Sequence, residues 1–496
     1  MKIKKFYSIF LTLLRLLYFL LTPKQYPPFK KYLINFGIAT VVIFALVFVE
    51  DLMFFKNKKD QVLDLVMYWH SDFTPRLANN QPMQRMALIE IDQQAYRTWG
   101  SPVLTPRDKL KDLIEAAVNG GASVIAVDIL LSWWSDGCIH EVGKTAACSA
   151  SDSRADDELA NYLKSLNDRE DDKAPLIILT RAYMSDDESF LVRPPSFLDK
   201  VLIEEKNVFW SSTFFKIESD DIRRRWQLAS LVCQDEHLTV VPSMQLLVAL
   251  GQLYANDNAV QVIREFKQKL NNWASELSCD VSAGTTIPKL CQAQNCPDLT
   301  IKLPQKNGIS DDEDVIDLAG GRDTERVVYR FAPDDDLNSQ RRELIDTETA
   351  LTILKDGADV VNQIVFIGNT HQDSGDLHPI PIRDNYVSGV YILANAVDTV
   401  LRFGQFKLQV WHYKFIVSLF VIVIATVCFA WFGIVRAFLF STIIVFVVLS
   451  ALSGQALHHG IGIDMALPLL TIQVVQTIRY FIESSIAYLK KRISYV

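Results

Sequence analysis

Residues 86–129 read MALIEIDQQAYRTWGSPVLTPRDKLKDLIEAAVNGGASVIAVDI, and this stretch sets the fold class. Met86–Ile91 is an apolar run of strand length closed by Asp92. Thr105-Pro106 is a helix-start signal, with Thr placed to cap and Pro at the first helical position. The helix is expected to stop at Asn119-Gly120-Gly121, and Ser123–Ile129 follows at once as a second buried strand ending near Asp128. Strand, helix, strand in so short a span is a βαβ unit, whose two strands run parallel. Asp92 and Asp128 then stand at the carboxyl ends of two strands predicted to be neighbours. That edge is where open α/β sheets bind ligands.

Working outward, Pro175–Thr180 (PLIILT) and Gln363–Ile367 (QIVFI) read as further strands, and Arg326–Phe331 alternates like one. Helices are expected at Asp156–Leu166, Pro242–Leu253, Glu348–Lys355 and Gly389–Phe403. Two polar stretches, near 132–170 and 256–321, read as insertions, the second irregular throughout. The outcome is an α/β domain with a parallel or mixed sheet over residues 50–411. This exceeds the usual ceiling of about 250–300 residues for one core, so insertions or subdomains are expected.

Four apolar stretches flank that domain: about Leu33–Val49, Phe415–Trp431, Ala437–Leu452 and Ile461–Ile478. Each is near the roughly 17–25 residues a helix needs to cross hydrocarbon. The expected division is a basic segment 1–32, spans at 33–49, 412–435, 436–454 and 460–480, and a tail at 481–496. Lys2, Lys4, Lys5, Arg15, Lys24, Lys30 and Lys31 precede the first span, while Glu50 and Asp51 follow it. Arg436 sits between the second and third, and Lys490, Lys491 and Arg492 follow the fourth. Positive charge stays cytoplasmic, so both termini are expected inside and the large domain outside. Phe6–Thr22, interrupted by Arg15, reads as a helix lying in the interface, and Gln61–Trp69 as a juxtamembrane helix.

Cys138, Cys148, Cys233, Cys279, Cys291 and Cys296 lie in the central region and only Cys428 in a span. An even set of six suits disulfides in an oxidising compartment. Six cysteines allow 15 pairings, and spacing does not choose among them; buried free thiols are the alternative. With a net charge of −8, nothing points to nucleic acid, and no motif calls for a cofactor.

The loop after Ile367, GNTHQDSGDLHPIP, is the densest polar cluster. His371, Asp373, Asp376 and His378 are residue types that ligate divalent metals, although their spacing matches no standard motif. A network fixing the loop through Asp376 is the alternative. The loop is no phosphate loop, since GxxxxGK[ST] is missing. Ser211-Ser212 and Ser243 lack a nucleophile-elbow context. Asp92 and Asp128 are ligand-site candidates; helix capping or pairing with Arg107 is the alternative reading.

These residues carry a resemblance. Asp92, Pro106-Arg107 and GGASVIAVDILL resemble the first half of a CHASE2 sensor domain. IVFIGNTHQDSGDLHPIPIRDNYVSGVYILANAVDTVLRFG is similar to its closing block, with Gly368, Asp376, Pro381, Gly389, Ala394, Asn395 and Asp398 at matching positions. Asp220-Asp221 with Arg223–Arg225, ahead of Pro242-Ser243, resembles the family's acidic–basic turn. One leading and three trailing spans are also the family's frame. The resemblance implies an extracytoplasmic sensor of a bacterial plasma-membrane receptor, with Asp92, Arg107, Asp128, Gly368 and Asp376 as candidate ligand-binding residues. Relatives often carry a fused output domain. Fewer than about 20 residues follow Ile478 here, against the 50 or more a domain needs, so the output is expected in a separate partner. A homodimer or higher homo-oligomer is expected by analogy. Two rival readings are an anchored metal-dependent hydrolase using Asp92, Asp128, His371, Asp373 and Asp376, and a structural envelope subunit docking through 256–321.

Overall fold

The computed structural model describes residues 29–49, 53–73, 85–132, 153–169, 174–183, 191–192, 196–216, 218–234, 237–255, 258–275, 277, 287, 291, 299–302, 315–319, 324–330, 333, 345–408, 411–457 and 459–493. Phe6–Thr22, Trp133-Trp134, and Cys138, Cys148, Cys279 and Cys296 lie outside them. The chain divides into two compact units, residues 67–407 and residues 1–66 with 408–496. Helix α1 (Phe29–Val49) belongs to the second unit, and α2 (Met53–Phe73) contains the division.

The unit 67–407 is built on six parallel strands. They are β1 (Met86–Ile91), β2 (Val124–Asp128), β3 (Leu176–Thr180), β5 (Val208–Ser211), β10 (Asp346–Thr349) and β11 (Ile364–Asn369), in spatial order β10-β1-β11-β2-β3-β5. Three short β-structures of this unit lie outside this sheet. Strand β4 (Leu191–Val192) joins the hairpin β6 (Ala229–Gln234)–β7 (His237–Pro242), β8 (Thr300–Lys302) pairs β9 (Val315–Asp317), and β12 (Leu377–Ile380) pairs β13 (Arg383–Ser388).

Side chains alternate across a strand, so the sheet has two apolar faces. One takes Ile89, Ile125, Val127, Ile177, Leu179, Val365 and Ile367. It is covered by α4 (Arg107–Asn119, after the short α3, Gln93–Thr98), α5 (Ser153–Asn167) and α8 (Ala350–Asp356). The opposite face is covered by α6 (Met244–Leu253) and α9 (Gly389–Phe403), with the longer α7 (Ala259–Ala274) against α6 and β7. Close packing demands glycine in the sheet's surroundings. A Cβ at Gly120 would come within 2.4 Å of the Ala358 carbonyl, and one at Gly368 within 2.7 Å of Val390.

Several expectations change. Strands β1 and β2 are not neighbours, because β11, from far along the chain, sits between them and bonds both. Of the expected strand Arg326–Phe331, residues 326–330 are described, and they form no strand beyond a single bridge at Arg326. Their backbone instead donates to α9 side chains, Val328 N to Thr399 Oγ1 at 3.0 Å and Arg330 N to Asn395 Oδ1 at 2.7 Å. The first residues expected of the helix Glu348–Lys355 are strand β10. The stretch 256–321 is not irregular throughout. Helix α7 lies in it, capped by Asn258 and burying Ile263, Phe266, Leu270 and Trp273 on one face. Of the central cysteines, Cys233 and Cys291 are among the described residues, and neither stands as a free thiol.

In the other unit, α1 packs against α10 (Trp411–Trp431) and α12 (Ala466–Ile493), and α11 (Ile434–Leu457) packs against the same two helices. Two of these, α10 over Lys414–Trp431 and α11, are long and apolar enough to cross a membrane; the apolar part of α1, Lys31–Val47, is shorter. Residues Ile461 and Gly462 are extended, so the last helix starts later than the expected span at 460 and runs on to Ile493. Helix α11 buries Ala437, Ser441, Val445, Leu449 and Ser453 at four-residue intervals. Its opposite face leaves Val435, Leu439, Ile443 and Val447 exposed.

Candidate functional site

Strand β1 leads into α4 on one face of the sheet, and β11 leads through the β12–β13 hairpin into α9 on the other. Where adjacent connections diverge in this way, the carboxyl edge opens into a crevice, the usual ligand position in such sheets. A cavity of about 580 Å³ lies there. Four strand ends reach it, through Ile91, Asp128, Thr180 and Asn369. The segment 102–107 forms one wall and the loop after β11 another. A smaller cavity of about 150 Å³ shares Asp128, Thr213 and Asp376 with it, and adds Phe215, Arg223, His378 and Gly389.

Asp128 is the chemical centre. Thr180 Oγ1 donates to Val127 O at 2.8 Å and reaches Asp128 Oδ1 at 3.4 Å. Burial, with the Asp376 carboxylate nearby, pushes the pKa of Asp128 up to about 8. Asp376 Oδ1 meets His378 Nε2 at 2.9 Å, and His378 Nδ1 lies 3.4 Å from Arg223 Nη2. Its backbone carbonyl accepts from Gly389 N at 3.0 Å. A Cβ on Gly389 would come within 2.4 Å of the Asp376 carboxylate, so only glycine lets that carboxylate rest over the first residue of α9. A negative charge at that end of a helix is favourable.

The other loop residues are held separately. His371 stacks on Tyr96 with ring centroids 4.1 Å apart, and burial lowers its pKa. Asp373 accepts from Gln93 Nε2 at 3.3 Å, and Gln93 Oε1 accepts from Gln372 N at 3.2 Å. Thr105 Oγ1 bonds Asn369 Oδ1 at 3.3 Å. Thus His371, Asp373, Asp376 and His378 do not converge on one point. Among the described residues no group of three or more His, Cys, Asp or Glu is arranged to hold a metal.

Three more candidates change role. Asp92 caps α3, its Oδ1 accepting from Ala95 N at 2.8 Å, and it does not line the cavity. Gly368 is a packing position beneath Val390. Arg107 touches the cavity, but its guanidinium pairs with Asp156 at 3.6 Å and covers the Phe197 ring at 5.6 Å. Burial draws its pKa down to about 10 in spite of Asp156. Sequence reading brought together Asp128 and Asp376, and it missed Tyr96, Trp99, Thr180 and Thr213. The aromatic pair was visible in QQAYRTWG; nothing in the sequence marks Thr213.

The polar positions of α9 tie the domain together. Asp398 bonds Arg330 at 3.1 Å and Arg402 at 2.7 Å, while Asn395 holds the backbone of Arg330. Asp220 pairs with Arg224 and Glu218 with Arg225 in the preceding acidic–basic turn.

No curated protein and no solved structure matches the chain. The CHASE2 domain profile matches residues 38–431, a stretch that takes in the whole sheet, the crevice at its carboxyl edge and α9. With most of its length inside that match, the chain belongs to the CHASE2 domain family, a family of sensory extracellular domains.

Proposed function

We propose that this protein is a membrane receptor whose domain 67–407 samples a small molecule outside the cytoplasm. Four helices, α1, α10, α11 and α12, cross the bacterial plasma membrane in this reading, with both termini cytoplasmic. Disulfides brace the outer domain, and a separate cytoplasmic or membrane partner, engaged by a homodimer, receives the signal. The family match supports the sensory role. Support for the bilayer comes from α11, which buries Ser441 and Ser453 and exposes apolar side chains, the inverse of a soluble helix.

The observation that carries the reading is the contact between Asp376 and Gly389. It puts a cavity-lining carboxylate on the first residue of α9, the helix that leads by a short connection into α10. A ligand that repositions Asp376 biases α9 only if it binds two packings with different affinity.

Two experiments test it. A phosphatase reporter inserted at Ser310 is expected to be active only as an exported enzyme; activity confined to the cytosol overturns the topology. Affinity purification of the full chain from native membranes is expected to recover a partner, in an amount altered by Asp376→Asn. Recovery of no partner under any condition overturns the relay.

A further inference from the structure

The shared cavity has a chemical character that the receptor reading leaves open. Its volume of about 580 Å³ is that of a small-molecule site, for which roughly 300–1,000 Å³ is usual. Its lining includes three acidic residues, Asp128, Asp373 and Asp376. It also includes the apolar and aromatic side chains of Tyr96, Trp99 and Ile129. Arg107 is the one arginine or lysine that lines this cavity, and it is paired with Asp156; Arg223 lines the smaller adjoining cavity. An anion in the larger cavity would therefore meet three carboxyl groups and a guanidinium that is already paired.

A second observation points the same way. His371 lines this cavity at 7 % exposure, and its Nδ1 has no hydrogen-bond partner among the described residues. Burial lowers its pKa and so favours the neutral ring, against the pull of Asp373. A neutral imidazole can accept a hydrogen bond from a cationic N–H, and a buried polar atom without a partner is costly enough to require an explanation. A bare divalent ion fits poorly, since Ca²⁺ takes about 6–8 oxygens and no metal-holding group stands among the described residues.

We propose that this cavity binds a small organic cation, its ammonium or guanidinium group between Asp128 and Asp376 and its apolar part against Tyr96, Trp99 and Ile129. The proposal rests on the cavity being the receptor's ligand site. The aromatic faces add attraction for a cation. A positive charge seated beside Asp128 also relieves the desolvation and repulsion that push its pKa up to about 8.

The test uses the full chain in lipid nanodiscs and three probes of one shape: phenethylammonium, neutral 2-phenylethanol and anionic phenylacetate. Calorimetry is expected to show the ammonium binding at least about tenfold tighter than either control, a difference of about 1.4 kcal/mol. Asp128→Asn and Asp376→Asn are each expected to remove that preference while leaving 2-phenylethanol binding unchanged. Asp373→Asn changes an exposed residue and spares the fold; it is expected to weaken the ammonium about two- to threefold. Equal or tighter binding of phenylacetate, no binding of the ammonium, or an undiminished preference in both the Asp128 and the Asp376 variants would each overturn the proposal. Ammonium binding without any change in partner recovery sinks the receptor reading and leaves this one standing. Partner recovery that responds to membrane extract while the ammonium fails to bind does the reverse.

Discussion

Asp128 holds its proton more tightly folded than unfolded, with a pKa near 8 against the ordinary 3.8. Such a group contributes stability that is fully present below about pH 4 and lost as pH rises through about 8. Asp128→Asn removes the ionisation. Its melting temperature relative to the parent is expected to climb between pH 4 and pH 9, by the equivalent of at least about 1.4 kcal/mol, the worth of one pKa unit. A pH-independent difference in thermal melts would show that Asp128 is ordinary. Gly389→Ala puts a methyl where the Asp376 carboxylate lies. It is expected to cost about 1–3 kcal/mol and to loosen the Asp376–His378 contact, read from the ring resonances of His378 by NMR at fixed pH. Asp398→Ala strands Arg330 and Arg402 beside a vacated buried carboxylate, and a loss of about 3 kcal/mol is expected in denaturant melts.

At the scale of elements, what the sequence made legible follows from burial. Strands β1, β2, β3 and β11 are covered on both faces, so each is a continuous apolar run between turn residues, and each was readable as such. Helix α9 was also read at its observed bounds, because Gly389 and Gly404 bracket a long apolar stretch. Helix α7 was hidden by polar surroundings, even though Ile263, Phe266, Leu270 and Trp273 recur at helical spacing. Arg326–Phe331 misled for a different reason. Its alternation reflects packing along α9 rather than along a strand partner, and only the fold reveals which. The site was half legible: Asp128 and Asp376 mark strand and loop ends, but Thr213 and Tyr96 join them only through tertiary contact. Gly368→Ala tests the fit of β11 against α9, since its Cβ would sit 2.7 Å from Val390. A loss of about 1–3 kcal/mol in thermal melts is expected, with Val390→Ala restoring part of it.

At the scale of the molecule, the two units carry different chemistry. In one, residues 67–407, apolar strands lie inside and ion pairs such as Asp398–Arg330 and Asp220–Arg224 brace the helices and turns around them. In the other, α11 turns Ser441 and Ser453 inward and leaves large apolar side chains exposed, while Arg479 on α12 bonds Asn35 on α1 at 2.5 Å and Glu483 at 2.7 Å. Arg479→Leu is expected to weaken helix association in detergent, because Asn35 loses its partner in a place where water does not replace it. Unchanged protease resistance of the helical unit would count against that role.

Strand β11 belongs between β1 and β2, yet the ribosome makes it more than 200 residues after β2. Until Ile364–Asn369 emerge, the nascent chain carries two raw strand edges facing an empty slot, the condition that invites pairing with the wrong polypeptide. Maturation of this protein is therefore gated by its own late-arriving centrepiece, and a chain interrupted before that point becomes a client for chaperones or proteases.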